Sequence, residues 1–265
     1  MSVTLDKKIN SIVSLTKDTR MVSLAKNAGE TLKKAGLADH MARVVLVLDI
    51  SGSMSPMFRD GTVSEIVKKA LAVGYLLDDN GEIDIILFGE KAQRLGTVSL
   101  DNLEATVTKL IQTRLEPYTR YEEAIEAVRE LLRDESPDQA YPTLVQFITD
   151  GEPTSSAAAE KAIREASRAG VFFQFVGIGG DDYDPRKAAE NKKGFFARVF
   201  GGEDFEFKFL KKLDDLSGRH TDNAGFFAVK NPKTVSEDSY YDLLLSEYPR
   251  WFANEFPRTA LADWL

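Results

Sequence analysis

The segment RVVLVLDISGSMSPM, residues 43–57, decides the fold of this chain. Residues 44–50 are valine, leucine or isoleucine except for Asp49, and such a run is typical of a strand covered on both faces in a parallel α/β sheet. Asp49, Ser51 and Ser53 then place a carboxylate and two hydroxyls at alternate positions where the strand ends. These are hard oxygen ligands of the kind that Mg²⁺ or Mn²⁺ prefers. A helix N-cap is the simpler alternative, but it accounts for only one of these three residues.

The composition of the chain excludes several classes of protein. The 265 residues are 43% hydrophobic and 29% charged, which is ordinary for a globular protein built on one large domain with additions. A net charge of −8 argues against general nucleic-acid binding, which requires a basic surface. The absence of cysteine excludes disulfides and thiolate metal sites. Only His40 and His220 are available for a histidine zinc site, which is too few.

The hydropathy of the chain bears on its location. No apolar run approaches the ~20 residues that span a bilayer. The first residues, MSVTLDKKIN, lack the charged-then-apolar layout of a secretory signal. We therefore expect a cytoplasmic protein without a membrane span.

Strand-like apolar segments alternate with helical patterns from residue 43 onward. Strands are predicted over residues 44–50, 83–88, 92–98, 143–149, 171–178 and 225–229. Helices are predicted over residues 62–77, 101–111 with Asp101 as the cap, 122–133, 157–169 and 209–216. This order predicts an α/β fold with a doubly wound, mostly parallel six-stranded sheet and helices on both faces, in which residues 92–98 form an edge strand.

Both ends of the chain lie outside this alternation. Near the N-terminus the pattern predicts an amphipathic helix over about residues 20–36, ended by Gly36, with disorder before residue 10. Near the C-terminus it predicts a helix over about residues 236–254, followed by a tail that carries Trp264.

Two further loops can approach Asp49. In an open doubly wound sheet, ligands bind beyond the carboxyl ends of the strands, where the strand order reverses. Asp150 follows the predicted strand 143–149, so it would share a crevice with Asp49 if the two strands are neighbours. Thr119, in the loop 115–121, can reach the same place, although it is also suited to cap the helix that follows.

These residues resemble the metal-ion-dependent adhesion site (MIDAS) of von Willebrand factor type A (VWA) domains. The resemblance covers about residues 43–230 and rests on Asp49-x-Ser51-x-Ser53, Thr119 and Thr149-Asp150-Gly151. It implies the Rossmann-like VWA fold, with cation contacts from the hydroxyls of Ser51, Ser53 and Thr119 and contacts, direct or through water, from Asp49 and Asp150. It also implies a non-catalytic module that binds an acidic residue of a protein partner through Mg²⁺, or through Mn²⁺ or Ca²⁺.

A narrower resemblance places the chain in one group of this family. Residues 14–17 and 22–24 resemble short repeats of bacterial tellurium-resistance proteins, and residues 209–216 and 222–229 look like the VWA domains of the TerF-like group. This implies a role in the bacterial Ter response to chemical stress, with other Ter-system proteins as candidate partners. We therefore divide the chain into an N-terminal arm (residues 1–40), a VWA domain with its MIDAS (41–232) and a C-terminal helix and tail packed on that domain (233–265).

Two other functions stay open at this point. Asp49 could be the nucleophile of a metal-dependent phosphoryl-transfer enzyme or hydrolase. Such sites usually carry a second carboxylate two residues later, where this chain has Ser51, and of the nearby residues only Arg120 could contact a phosphate. Alternatively, Gly177-Ile178-Gly179-Gly180 could begin a dinucleotide loop, but Asp182 stands where the third glycine is expected.

The Phe-rich segment, residues 195–209, has two interpretations. Its aromatic side chains could attach an irregular segment to the domain. They could also form an exposed surface that recruits a partner. The sequence does not decide between them.

Overall fold

Six strands form one sheet in this computed structural model, which describes residues 4–133, 141–187 and 207–259. The strands are β1 (Arg43–Asp49), β2 (Ile83–Phe88), β3 (Ala92–Val98), β4 (Thr143–Thr149), β5 (Val171–Ile178) and β6 (Ala224–Val229). They lie in the order β3-β2-β1-β4-β5-β6, and every neighbouring pair is parallel except β2 with β3. The predicted doubly wound, mostly parallel sheet with residues 92–98 at its edge is therefore confirmed, and the structure adds that this edge strand is antiparallel to β2.

Helices cover both faces of this sheet. They are α1 (Leu5–Leu15), α2 (Thr19–Lys34), α3 (Ser55–Arg59), α4 (Thr62–Leu77), α5 (Leu103–Ile111), α6 (Tyr121–Arg133), α7 (Ser156–Ala166), α8 (Lys208–Asp214), α9 (Glu237–Leu244) and α10 (Tyr248–Asn254). Alternate residues of β1 enter two different cores. Leu46 and Leu48 belong to the first core, which also contains residues of α2, α4 and α9, and Val45 and Val47 belong to the second core, which also contains residues of α6, α7 and α8. Among the described residues, no helix combines the length and apolar composition needed to cross a membrane.

Helix α1 begins at Leu5, so the expectation of disorder before residue 10 was wrong for residues 5–9. Leu5, Ile9 and Ile12 are buried on one side of α1. Their spacing places them on one helical stripe, which packs into the same core as β1. The ammonium of Lys8 also donates to the carbonyls of Leu76 and Asp78, at 3.0 and 2.5 Å, and so ties α1 to the end of α4.

The second helix of the arm agrees with its prediction. It covers Thr19–Lys34, and Gly36 follows with a φ of +74°, a conformation that glycine adopts without strain. Gly29 inside the helix has a packing reason. A Cβ at this position would lie 2.5 Å from the Cδ1 of Ile9, so the glycine allows α1 to approach α2 closely.

Two helix boundaries differ from the prediction. Helix α5 begins at Leu103 with Asn102 in the N-cap position, so Asp101 is not its cap. The single helix predicted over residues 236–254 is two helices, α9 and α10. Pro249 lies in the first turn of α10, and a helix cannot run through it because proline lacks an amide hydrogen and its ring clashes with the carbonyl four residues earlier.

The Phe-rich segment is described only at its end. Residues 195–206 lie outside the described part of the chain, as do residues 260–265 with the predicted tail and Trp264. Phe207 and Phe209 are described, and both are buried in the core that contains α6, α7 and α8. For these two side chains, attachment to the domain is the correct interpretation.

Candidate metal-binding site

The carboxyl ends of β1 and β4 form the crevice where the strand order reverses. From β1 the chain proceeds to β2 and β3 on one side, and β4, β5 and β6 lie on the other. Asp49 is the last residue of β1, and Asp150 directly follows β4. Because these two strands are parallel neighbours, the two carboxylates meet at the same edge of the sheet, as predicted.

Asp49 is fully buried and held by two donors. One of its carboxylate oxygens accepts the backbone N–H of Ser51 at 2.7 Å. The other accepts the hydroxyl of Thr149, also at 2.7 Å. The loop after β1 therefore folds back on the aspartate, and Asp49 is fixed before any ligand binds.

Ser51, Ser53 and Asp150 bring three oxygen atoms into a row. The hydroxyl oxygens of Ser51 and Ser53 are 3.1 Å apart, and the Ser53 hydroxyl donates to Oδ1 of Asp150 at 2.9 Å. Ser51 occupies the N-cap position of the 3₁₀ turn Gly52–Met54, but its side chain makes no capping hydrogen bond. The hydroxyl is directed to its neighbours in the crevice, so the N-cap alternative does not account for it.

The spacing of these oxygens suits a small divalent cation. Mg²⁺ binds oxygen at about 2.0–2.1 Å in an octahedron, which places neighbouring ligands about 2.9 Å apart. The Ser51–Ser53 and Ser53–Asp150 separations of 3.1 and 2.9 Å agree with that value. To bind a cation, the two serine hydroxyls would only have to rotate so that their hydrogens point away from the position of the metal.

Thr119 lies in a loop fixed at this edge, but its hydroxyl is not part of the bonded group. Its backbone N–H donates to the hydroxyl of Thr154, and its carbonyl accepts the N–H of Thr154, both at 2.9 Å. The N–H of Arg120 donates to the carbonyl of Gly89 at 3.0 Å. Within the described residues the Thr119 hydroxyl has no hydrogen-bond partner, so Thr119 as a ligand stays a prediction.

Three residues that organise the site received no role from the sequence. Thr149 orients Asp49, Thr154 holds the Thr119 loop, and the Tyr121 hydroxyl donates to the carbonyl of Gly151 at 2.6 Å. Thr149 belongs to the motif that carries the family resemblance, as the last residue of the strand that leads to Asp150, but no contact was assigned to it. Nothing in the sequence marks Thr154 or Tyr121, since their partners are distant along the chain.

The electrostatics of the site favour a cation. Burial raises the pKa of Asp49 to about 6, although the hydrogen bonds from Thr149 and Ser51 oppose this shift. Burial also raises the pKa of Asp150, against the hydrogen bond from Ser53. Neither carboxylate has an ion pair with lysine or arginine among the described residues, so a divalent cation would supply the missing counter-charge.

The donor set is mixed rather than purely acidic. Residues 4–133, 141–187 and 207–259 contain no group of three or more His, Cys, Asp or Glu side chains that could hold a metal ion. Two carboxylates with neighbouring hydroxyls are what this crevice offers. These residues fit a hard cation that keeps part of its positive charge.

The glycine segment at the end of β5 has a packing explanation. A Cβ at Gly177 would lie 2.9 Å from the ring of Phe207, so a side chain at this position would collide with the second core. Asp182 accepts the N–H of Lys230 at 2.7 Å and thereby closes the neighbouring loop. These contacts give Gly177 and Asp182 structural roles that need no dinucleotide.

Comparisons with known proteins place the chain among similar domains. The family described as the vWA domain found in the TerF C terminus matches residues 41–260. The uncharacterized protein YcbR of Bacillus subtilis (strain 168) is 35% identical over 225 residues, which cover 83% of this chain and 81% of that protein.

Two solved structures show weaker similarity. BatB from Bacteroides thetaiotaomicron has a TM-score of 0.49 at 17% identity, over 80% of this chain and 100% of that one. The SpRpn10 VWA domain has a TM-score of 0.49 at 9% identity, over 75% and 93%.

Proposed function

The chain belongs to the family of VWA domains found in the TerF C terminus, and from this premise we propose that it is a non-catalytic, divalent-metal-dependent protein-interaction module. VWA domains are common protein-interaction modules, and some of them carry a MIDAS. The observation that carries the proposal is the row of oxygens from Ser51 through Ser53 to Asp150 at the switch point of the sheet. Asp49 and Thr119 complete the proposed set of ligands.

The bound cation would attract a carboxylate of the partner. Hydroxyl ligands are neutral, so a cation held largely by Ser51, Ser53 and Thr119 keeps positive charge for an outside ligand. Asp49 already accepts hydrogen bonds on both oxygens, which suits it to a supporting position. Mg²⁺ is the first candidate, with Mn²⁺ and Ca²⁺ as alternatives that accept the same ligands.

The burial of Asp49 speaks against an enzyme that uses this residue as a nucleophile. A nucleophilic carboxylate must reach the substrate, but Asp49 is 0% exposed. Arg120, the basic residue that could have contacted a phosphate, lies with its guanidinium over the ring of Tyr118. Phosphate release from a simple phosphoester in Mg²⁺ or Mn²⁺, lost in Asp49→Asn, would support the enzyme instead.

The biological setting is part of the proposal. Membership of the TerF-like family supports a role in bacterial tellurium resistance or a related chemical stress response, in the cytoplasm and with other Ter-system proteins as candidate partners. The content of the neighbouring genes tests this part of the proposal. Stress-response genes of the same system beside this one would support it.

Metal binding is the first test of the proposed function. We expect MnCl₂ to bind the purified chain in a calorimetric titration and to raise its melting temperature, because the cation neutralises buried carboxylates. Ser53→Ala removes the central oxygen of the row and should abolish both effects while the fold is kept, since Ser53 is exposed. Ser55→Ala is the matched control, because this nearby hydroxyl makes no hydrogen bond in the described residues and should leave Mn²⁺ binding unchanged.

Partner capture is the second test. Affinity purification from the source cell, run in parallel with Mg²⁺ and with a chelator, should recover partners only with Mg²⁺. Ser53→Ala should behave like the chelated protein. Recovery of the same partners under all of these conditions would show that the metal is not the binding determinant.

A further inference from the structure

Tyr118, next to the candidate ligand Thr119, has a strained backbone. Its φ is +67°, and it is the one non-glycine residue with a positive φ in the described part of the chain. A left-handed conformation in a non-glycine residue costs about 1–3 kcal/mol. The residue is 54% exposed, so core packing does not offset this cost.

The surrounding loops hold Tyr118 in this conformation. The two backbone bonds of Thr119 to Thr154 and the bond from Arg120 to Gly89 fix the residues that follow it. On the other side, the N–H of Glu116 donates to the carbonyl of Ile50 at 2.9 Å. The aromatic ring is thus presented to solvent by a rigid loop beside the metal-binding crevice.

Arg120 lies against this ring and has no acidic partner in the described part of the chain. The centre of its guanidinium is 5.7 Å from the centroid of Tyr118, within the range of a cation–π contact. No ion pair or side-chain hydrogen bond joins Arg120 to a carboxylate in the described residues. Glu116, the acidic residue of the same loop, is already used, since its carboxylate accepts the N–H groups of Glu90 and Lys91 at 2.9 and 3.3 Å.

We propose that Tyr118 and Arg120 recognise a second acidic residue of the partner, next to the one that the cation binds. The inference rests on the proposed function and specifies its partner: a segment of protein with two acidic side chains. The planar guanidinium can bind a carboxylate with two parallel hydrogen bonds, and the exposed ring offers a rigid apolar surface to the segment between them. Tyrosine and arginine are, with tryptophan, the residue types enriched among those that dominate binding at interfaces.

The overall charge of the chain makes this local positive charge necessary. At a net charge of −8, the protein repels an acidic segment at long range. The cation and Arg120 are two positive groups at this site that could act against this repulsion. A segment with two carboxylates would use both, whereas a segment with one would leave the guanidinium unpaired.

Two labelled peptides in MnCl₂ test the inference. Acetyl-Gly-Asp-Gly-Glu-Gly-amide carries two acidic residues, and its variant with glutamine in place of glutamate carries one. A second pair of peptides has two glycines between the aspartate and the glutamate or glutamine, because the distance between the two acidic residues of the partner is unknown. Fluorescence polarisation should show about tenfold tighter binding of a two-acid peptide than of its one-acid partner, as expected for a charge-assisted hydrogen bond.

Variants of the protein assign the effect to these side chains. Arg120→Gln should lower the affinity for the two-acid peptide to that for the one-acid peptide and leave the latter unchanged. Arg114→Gln is the matched control, because Arg114 is an exposed arginine of the same loop with no ion pair in the described residues. Tyr118→Gly should weaken two-acid binding without lowering the melting temperature, since glycine relieves the backbone strain. A merely structural tyrosine would lower the melting temperature when removed.

The outcomes separate this inference from the proposed function. Suppose that the one-acid peptide binds in Mn²⁺ but not with chelator, that the two-acid peptide binds no more tightly, and that Arg120→Gln and Arg114→Gln have the same affinity for it. The inference is then wrong and the proposed function stands. If neither peptide pair binds in Mn²⁺, or if binding persists with chelator, the proposed function fails and the inference fails with it.

Discussion

At the scale of single residues, Thr149 is the side chain on which the buried Asp49 depends. Its hydroxyl donates to Asp49 at 2.7 Å, and both residues are fully buried. Thr149→Val keeps the shape but leaves one oxygen of a buried carboxylate without its donor. We expect a loss of about 1–3 kcal/mol in the free energy of unfolding, measured by urea denaturation with a chelator present.

Thr143 provides the matched control for this prediction. It lies on the same strand, is 1% exposed, and its hydroxyl has no hydrogen-bond partner in the described residues. Thr143→Val should therefore be neutral or slightly stabilising, because an unsatisfied polar group is replaced by an apolar one. Equal losses in the two variants would mean that Thr149 contributes by packing and not through Asp49.

The candidate ligands illustrate what a sequence can predict about a site. Asp49, Ser51 and Ser53 are two residues apart at the end of a strand, so their proximity follows from local geometry. Asp150 follows from topology, because parallel neighbours end at the same edge. The position of the Thr119 hydroxyl could not be predicted in this way. Its loop is placed by hydrogen bonds to Thr154 and Gly89, which are distant in sequence.

At the scale of elements, the contact of α4 with the sheet depends on Gly74. A Cβ at this position would lie 1.9 Å from Cγ2 of Ile83 and 3.5 Å from Cβ of Val44, so α4 approaches the strands more closely than alanine allows. Gly74→Ala improves helix propensity by about 1 kcal/mol but overpacks the core. We expect a net loss of about 1–3 kcal/mol in the free energy of unfolding, measured by urea denaturation.

Gly29→Ala is the comparison within α2. The new Cβ would meet the Cδ1 of Ile9, the end of a flexible side chain that can rotate away. The loss should be smaller than for Gly74→Ala and confined to the contact between α1 and α2. Faster hydrogen exchange in α1 alone would show this, and a larger loss at Gly29 than at Gly74 would contradict it.

The elements also show where pattern reading fails. The strands were predicted closely because each is a long apolar run bounded by turn residues. Helix α1 was missed because its apolar stripe of Leu5, Ile9 and Ile12 is short, and its partners α2 and α4 are known only from the fold. The break between α9 and α10 was missed although Pro249 marks it.

At the scale of the whole molecule, the arm and the C-terminal region share one core with the sheet. Arg20 of α2 forms ion pairs with Glu65 of α4 and Glu237 of α9. Glu237 also accepts hydrogen bonds from Ser23 and Asn27 of α2. The predicted boundaries at residues 40 and 233 divide the sequence. In the fold, α2 of the arm contacts both α4 of the domain and α9 of the C-terminal region.

The stability of the whole chain should depend on pH through Asp214 and Glu247. Their largely buried side chains lie next to each other, where the end of α8 approaches the start of α10. Burial, together with repulsion from nearby carboxylates, raises the pKa of Asp214 to about 7 and that of Glu247 to about 8. The two residues repel each other, and Asp215 and Asp222 add to the repulsion. Arg219 opposes the shift at Asp214, and Arg250 opposes it at Glu247. The folded state thus holds protons at pH 6.5 that the unfolded carboxyls, with pKa values near 4, have released.

Because the folded state binds more protons than the unfolded state in this range, its stability falls as the pH rises, and the contribution of the pair is lost above about pH 8. We expect the free energy of unfolding to fall by roughly 2–3 kcal/mol between about pH 6.5 and pH 8.5. Glu247→Gln, which keeps the shape and removes one titrating group, should flatten this dependence. Glu130→Gln, a change at an exposed position of α6, should not alter it. Urea denaturation across the pH range, with a chelator present, measures the unchanged protein and both variants. If the free energy of unfolding of the Glu247→Gln protein changed with pH as steeply as that of the unchanged protein, the buried pair would not hold the proton.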